Sequence, residues 1–362
     1  MLRILVYFIL CTSIKLYAAQ VVEKPKKISL ELDYIALKSS LNLDIVESDS
    51  IKARIFGYQF NIIIKDKISS EVDIFFDGLL NLQVGSNDVV GSGTAEFQPI
   101  NTVDLNEGGL RYRPWSFLTL KAGAINQDEF ASPLFLSSTA FAAAQEVFHY
   151  NGFSLKLQQA IPTNNRLQKR IAVNVDSGTP YLNTTSIAYK YKGHFYFHSE
   201  LTQYYYQDLS STIADNSSSF GNSVQDLGSA KKFTYNFSGQ NLMLKIGKSF
   251  GLHRFYFNGQ YLYNDKAPEK RNRGNLAALE YYYKSFGVML ETFRNESDTA
   301  PAFYNSKYYG HNNVQGNAFA LKYKIKDFES FVRYADIDVI EETLVQYPTQ
   351  ILSFLISKTY TF

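Results

Sequence analysis

The sequence lacks several features that define common protein classes. Its 362 residues include one cysteine, Cys11, which lies in the apolar stretch at the start of the chain. With that stretch removed on export, the mature chain forms no internal disulfide and no thiolate metal site. Beyond the N-terminus no apolar run approaches the about 20 residues that a membrane-spanning helix needs, which excludes an ordinary helical membrane protein. A charge excess is missing too, since 36 Lys plus Arg stand against 34 Asp plus Glu. Arg3 and Lys15 precede residue 20 and no acid does, so the mature counts are equal and nucleic acid is not expected as a partner. Neither a G-x-S-x-G elbow nor an H-E-x-x-H pair occurs. His194 and His198 have the spacing of a helical metal pair, but in a strand the same spacing separates them by about 13 Å. No cofactor is expected, and the chain does not read as an enzyme.

Aromatic residues are plentiful, at 28 Phe and 27 Tyr, although mean hydropathy is only −0.19. Met1 and Arg3 make a short basic end, Ile4 to Leu10 is apolar, and Ala18 and Ala19 offer a processing point. This predicts a secretory signal over residues 1–19 and a mature domain over 20–362. Phe8-Ile9-Leu10-Cys11 invites comparison with a lipoprotein box, but Leu10 is bulky where a small residue is needed, so export is the stronger reading.

From Ile28 onward the dominant period is two, the strand signature. Phe255, Phe257, Gly259, Tyr261 and Tyr263 alternate with Arg254, Tyr256, Asn258, Gln260 and Leu262. Similar patterns predict about 16 strands, near 29–41, 51–64, 69–82, 104–113, 117–125, 146–158, 166–177, 181–192, 194–206, 232–248, 253–264, 274–284, 286–297, 314–326, 328–339 and 350–362, with boundaries good to roughly two to four residues. Short connections alternate with long ones, the long ones near 85–102, 127–145, 209–231, 267–273, 297–313 and 341–348. The link at 178–180 is an exception, short where a long one is due, and a slightly longer turn is expected at 160–165. Short turns on one side and long loops on the other are the pattern of an antiparallel transmembrane β-barrel, with its turns in the periplasm. A soluble sandwich or solenoid is the alternative. It would need a fixed sequence repeat or several cores joined by Pro-, Gly- or Ser-rich linkers, and neither is visible.

The chain ends Leu355-Ile356-Ser357-Lys358-Thr359-Tyr360-Thr361-Phe362, with Leu352, Phe354, Ile356 and Tyr360 on the parity of the terminal Phe. Taken with the export signal, the alternation and the unequal loops, this ending resembles the closing strand of bacterial outer-membrane porins. Leu110-Arg111-Tyr112-Arg113-Pro114 and Leu118-Thr119-Leu120-Lys121-Ala122-Gly123 resemble the strand-turn-strand that precedes the constriction loop in general-diffusion or phosphate-selective porins. The resemblance implies insertion into outer-membrane lipid, reading of Phe362 by the barrel assembly machinery, and a homotrimer.

With about 16 strands the lumen is too wide for side chains to fill, leaving an aqueous channel whose lining sets its selectivity. Parity assigns Arg111, Arg113, Lys121, Lys156, Arg170, Lys245, Arg254 and Lys322 to that lining, facing acids such as Asp73, Asp77, Glu200, Glu280 and Glu291. Arg111 and Arg113, about 7 Å apart on one strand face, make a short basic ladder that would favour anions; as ion-paired wall residues they would do nothing of the kind. The loop at 127–145 is too apolar for an exposed segment. Phe130, Pro133 and Phe135 predict that it folds inward to narrow the channel, with Asp128 and Glu129 facing the basic wall. A loop packed at a subunit interface or clipped over the barrel mouth is the alternative. The sequence therefore predicts passive diffusion of small hydrophilic solutes with a mild anion preference. Two alternatives stay open: a solute-specific channel using Tyr196, Tyr204, Tyr256 and Tyr282, and a plugged structural or adhesive barrel.

Overall fold

The computed structural model describes residues 33–48, 51–89, 93–130, 132–137, 139–162, 178–228 and 230–362. The chain forms β1 (Tyr34–Glu47), β2 (Ile51–Lys67), β3 (Val72–Val89), β4 (Gly93–Trp115), β5 (Leu118–Asn126), β6 (Ala140–Tyr150), β7 (Phe153–Ile161), β8 (Tyr181–Lys192) and β9 (Tyr196–Gln207). A short helix α1 (Ser211–Ser218) and the small hairpin β10 (Val224–Asp226) and β11 (Lys231–Phe233) follow. The remaining strands are β12 (Ser238–Phe250), β13 (His253–Asn264), β14 (Arg273–Tyr283), β15 (Phe286–Asn295), β16 (Val314–Ile325), β17 (Phe328–Val339) and β18 (Thr349–Thr361). All except β10 and β11 join in one closed, 16-stranded antiparallel barrel, sealed where β18 pairs with β1. The Phe362 amide donates to the Ile35 carbonyl at 3.0 Å and completes the seam. Closure at the β1–β18 seam leaves neither terminal strand with an open edge where lipid replaces water.

Dyad alternation decides which face each side chain meets. Leu201, Leu242 and Tyr261 stand side by side across β9, β12 and β13 and are about 40% exposed, at 44%, 40% and 41%. One residue along, Thr202, Asn241 and Leu262 stand side by side on the opposite face and are fully buried. The outer face is thus apolar and the inner face mixed and polar, the inverse of a soluble barrel and the arrangement a lipid surround requires.

The strand pattern departs from the sequence reading in three places. The segment expected as one strand over 146–158 is a hairpin, β6 and β7, turning at Asn151-Gly152, where φ is 46° and 85°. Both positive values match the twist of the two strands, as in the favoured two-residue hairpin turn. A Cβ on Gly152 would lie 2.7 Å from the Lys190 carbonyl, so glycine is required there. Strand β7 runs to Ile161, and most of the turn expected at 160–165 lies outside the described residues. The strand expected at 166–177 lies outside the described residues. Second, the loop expected at 85–102 is mostly strand, since β3 and β4 stay paired out to Val89 and Gly93. Beyond the hydrocarbon both faces of a hairpin meet water, so its residues need not alternate and read as loop. Third, the loop expected over 127–145 spans only 127–139, because Ala140 to Gln145 belong to β6; its run of alanines carries no amphipathic signal.

Candidate functional site: the barrel lumen

On the side of the short turns, charged residues of alternating sign cross the inner wall. Lys156 on β7 lies 3.3 Å from Glu200 on β9, with His198 Nε2 4.0 Å from the other carboxylate oxygen. Lys245 on β12 and Lys322 on β16 each approach Glu280 on β14 to 4.0 Å, on opposite oxygens. Glu280 also accepts from Asn258 Nδ2 at 2.6 Å and from the Tyr282 hydroxyl at 2.5 Å. One step towards the turns, Tyr196, Tyr256 and Tyr282 form a ladder with centroids 6.2 and 6.1 Å apart. Lys245 stands 5.0 Å from the Tyr256 ring and Arg254 5.2 Å from that of Tyr282, within cation–π range. Tyr256 lies flat over Gly247 of the neighbouring strand, where a Cβ would come 2.2 Å from its ring.

The wall of β3 to β5 carries the remaining basic residues. Asp73 takes Arg113 Nη2 at 2.9 Å and Arg111 Nη1 at 3.7 Å, so the two guanidiniums of the basic ladder share one carboxylate. Lys121 stands beside Arg111 in the β4–β5 register, on the same inner face. Arg170 lies outside the described residues. Of the cations that the sequence assigns to the lining, Arg111, Arg113, Lys156, Lys245 and Lys322 are each within 4.0 Å of a carboxylate.

On the side of the long connections three segments fold into the lumen and pack together. After the 3₁₀ turn Gln127–Phe130, the 127–139 connection crosses to β12 and β13. There Ser132 Oγ accepts from Asn241 Nδ2 at 2.7 Å, and the Leu134 amide donates to Gln260 Oε1 at 3.3 Å. Leu134, Phe135 and Leu136 are buried, with Phe135 4.5 Å from the ring of Tyr204. Pro133 is half-buried, and its carbonyl accepts from the Ser306 amide at 2.9 Å. Asp128 is exposed, whereas its neighbour Gln127 is buried and accepts from Gln158 Nε2 at 2.8 Å. The side chains of Glu129 and Phe130 lie outside the described residues.

The 296–313 connection packs against this loop, with the Ser137 amide donating to the Tyr304 carbonyl at 2.9 Å. Lys307 reaches Asp44 on β1 at 3.4 Å. The 208–237 connection, carrying α1, adds Ile213 and Phe237 to the same apolar cluster. Asn222 ties it to the 296–313 segment through the carbonyls of Ser297 and Ala300, at 2.7 and 3.1 Å. Together the three segments plug the β6–β17 sector of the barrel. Tyr204, expected in the aromatic lining, is instead a fully buried member of the plug; its hydroxyl donates to the Thr299 carbonyl at 2.7 Å. Sequence reasoning missed the 296–313 segment, although Ala300-Pro301-Ala302-Phe303-Tyr304 is as apolar as the stretch singled out in 127–145. Among the described residues no cluster of His, Cys, Asp or Glu could hold a metal ion.

A sealed antiparallel cylinder with an apolar exterior, a charged interior and loops folded into its bore is a transmembrane β-barrel of the porin fold. No protein-family model matches the chain, and no curated protein matches it by sequence. Solved structures do. The low-pH structure of Pseudomonas putida OprB superposes over 91% of this chain and 92% of its own, at 8% identity and a TM-score of 0.57. Pseudomonas aeruginosa OccK7 (OpdD) covers 91% and 99%, at 11% identity and a TM-score of 0.53. Pseudomonas aeruginosa OccK2 (OpdF) covers 91% and 98%, at 11% identity and 0.50. The likeness is one of fold, spanning nearly the whole of each chain.

Proposed function

We propose that the protein is an outer-membrane channel for passive diffusion of small hydrophilic solutes, with a modest preference for anions. The observation that carries this reading is the charged row on the inner wall, Lys156–Glu200–Lys245–Glu280–Lys322. Charged groups inside an apolar shell are costly unless they meet water, and a row of them facing inward marks a wet bore. The row carries more lysines than carboxylates, and Arg254 adds a further cation beside it, which supports the anion preference. The greasy exterior supports placement in lipid.

A second reading, a channel specific for one solute class, is favoured by the Tyr196–Tyr256–Tyr282 ladder. Flat aromatic faces beside paired lysines and carboxylates suit a ring with one apolar face and polar edges, such as a sugar. Single-channel recordings of refolded protein in planar bilayers test both readings. Diffusion predicts steady ohmic steps at high salt and a reversal potential on the anion side, whereas solute specificity predicts saturable block by the solute. A protein that inserts without conducting is a plugged structural barrel, and the channel reading then fails.

A further inference from the structure

Among the described residues the plug packs against β6 to β17 and reaches β1 through Lys307, and none of its contacts falls on the wall of β2 to β4. In the plugged sector the inward-facing Leu262, Ala320 and Ala335 are fully buried, whereas on the β2 to β4 wall Asn61, Asp77 and Asp104 are half-buried, beside the buried Phe75 and Thr102. Asp77 accepts from Asn61 Nδ2 at 3.0 Å and Asp104 from Thr102 Oγ1 at 2.7 Å. Both partners are neutral, and among the described residues neither carboxylate is in an ion pair. Asp104 Oδ1 and Asn81 Oδ1, facing the same stretch, are acceptors without a donor. Glu107 stands opposite Asp77 in the register, and Lys38 faces the stretch from β1, in the row Lys38–Asn61–Leu79–Asp104. Acid outweighs base here. Further towards the turns on these strands, the two guanidiniums of Arg111 and Arg113 share the single carboxylate of Asp73, so base outweighs acid. Along β4, Asp104 and Arg111 lie about 20 Å apart at the rise of a strand.

Building on the channel reading above, we infer that the conducting path is off-axis along β2 to β5 and bipolar along its length, negative on the loop side and positive on the turn side, so that it rectifies ionic current. At 0.1 M salt the screening length is about 10 Å, shorter than the separation of the zones, so each acts on its own; at 1 M it falls to about 3 Å and both are masked. With the loop side positive, cations enter through the negative zone and anions through the positive zone, and both accumulate where the zones meet. The reverse polarity empties that region. Each zone also offsets the selectivity of the other, which keeps the net anion bias small.

Full-length protein in a planar bilayer tests this. Leu344→Cys, biotinylated and bound by streptavidin, marks the loop side, since Leu344 is exposed at 93%. In 0.1 M KCl the current at a given voltage should be about 1.5-fold or more larger with the loop side positive, and the asymmetry should fade in 1 M KCl as screening sets in. Asp77→Asn with Asp104→Asn should abolish the asymmetry in 0.1 M KCl. Arg111→Gln with Arg113→Gln should weaken it independently. Symmetric currents from the wild type in 0.1 M KCl, asymmetry of the opposite polarity, or asymmetry that survives in the Asp77/Asp104 variant each overturn the inference with the channel reading intact. Absence of any current overturns the channel reading itself, and this inference with it.

Discussion

Arg333 on β17 donates from Nε to Glu291 on β15 at 2.8 Å, with each side chain only 3% exposed. The Tyr309 hydroxyl donates to the second oxygen of Glu291 at 2.5 Å, and its ring lies 4.8 Å from the guanidinium. Arg333 Nη1 also donates to the Tyr308 carbonyl at 2.7 Å. One wall cation on β17 therefore reaches across β16 to fix β15 and also holds the inward-folded 296–313 segment.

Replacing one member of such a pair leaves the other charge buried without compensation, which costs about 3 kcal/mol or more. Arg333→Met should therefore lower the thermal unfolding midpoint in detergent, and Arg333→Met with Glu291→Gln should lower it by less than the sum of the single changes. A double-mutant cycle on unfolding midpoints measures the difference. Strict additivity would mean the pair is not coupled.

Phe135 packs its ring 4.5 Å from that of Tyr204 and 6.2 Å from that of Tyr206 at the centre of the plug. Truncating a buried phenylalanine costs about 3–5 kcal/mol, here charged to the packing of the plug and not to the barrel ladder. Phe135→Ala should raise single-channel conductance and shorten the lifetime of each conductance level. Lys307→Ala removes a pair whose lysine is 58% exposed, and such exposed pairs contribute below about 1 kcal/mol. It serves as the control, with conductance near that of the wild type.

Gly247 lets the Tyr256 ring lie against the wall. A methyl group there would sit 2.2 Å from the ring and turn it into the bore. Gly247→Ala should lower the conductance, and adding Tyr256→Ala should restore it. Failure of that rescue would place the obstruction elsewhere.

His311 stacks on Phe220 at 4.2 Å and turns Nδ1 to the Ala302 carbonyl and Asn305 Oδ1, both acceptors, at 3.0 and 2.9 Å, so Nδ1 carries the proton. Burial, aided by the charge of Lys307, pushes its pKa down to about 4, against the Ala302 carbonyl, which favours the charged ring. The folded value lies below the unfolded one of about 6.5, so this group's contribution is complete above pH 6.5 and is lost as the pH falls through 4. Channel noise and brief transitions should increase between pH 6.5 and 4. His311→Gln, which cannot take up the proton, should flatten that response; an unchanged acid response in this variant would assign the titration to another group.

The antiparallel barrel and the two-faced alternation of its wall were legible in the sequence because a period of two has only two outcomes, and one of them places Leu201, Leu242 and Tyr261 in lipid. The same parity is what put Lys156, Lys245, Arg254 and Lys322 in the expected lining. Length was less legible. Asn151-Gly152 carried a hairpin signal, but apolar residues continue on both sides of it and mask the turn. The polar ends of β3 and β4 have no lipid to impose alternation.

What the sequence determined by itself was the wall, because strand geometry and hydrocarbon act residue by residue on a local pattern. What only the tertiary structure decided was the contents of the bore. Tyr204 sits at a lining position by parity and yet is buried, because Phe135 and Thr299, distant in sequence, come to lie against it. The shared hold of Arg111 and Arg113 on Asp73, and of Lys245 and Lys322 on Glu280, likewise arises only when strands separated in sequence are brought side by side around a closed barrel. Such contacts depend on register and on the path of loops across the lumen, and neither leaves a periodic trace in the chain.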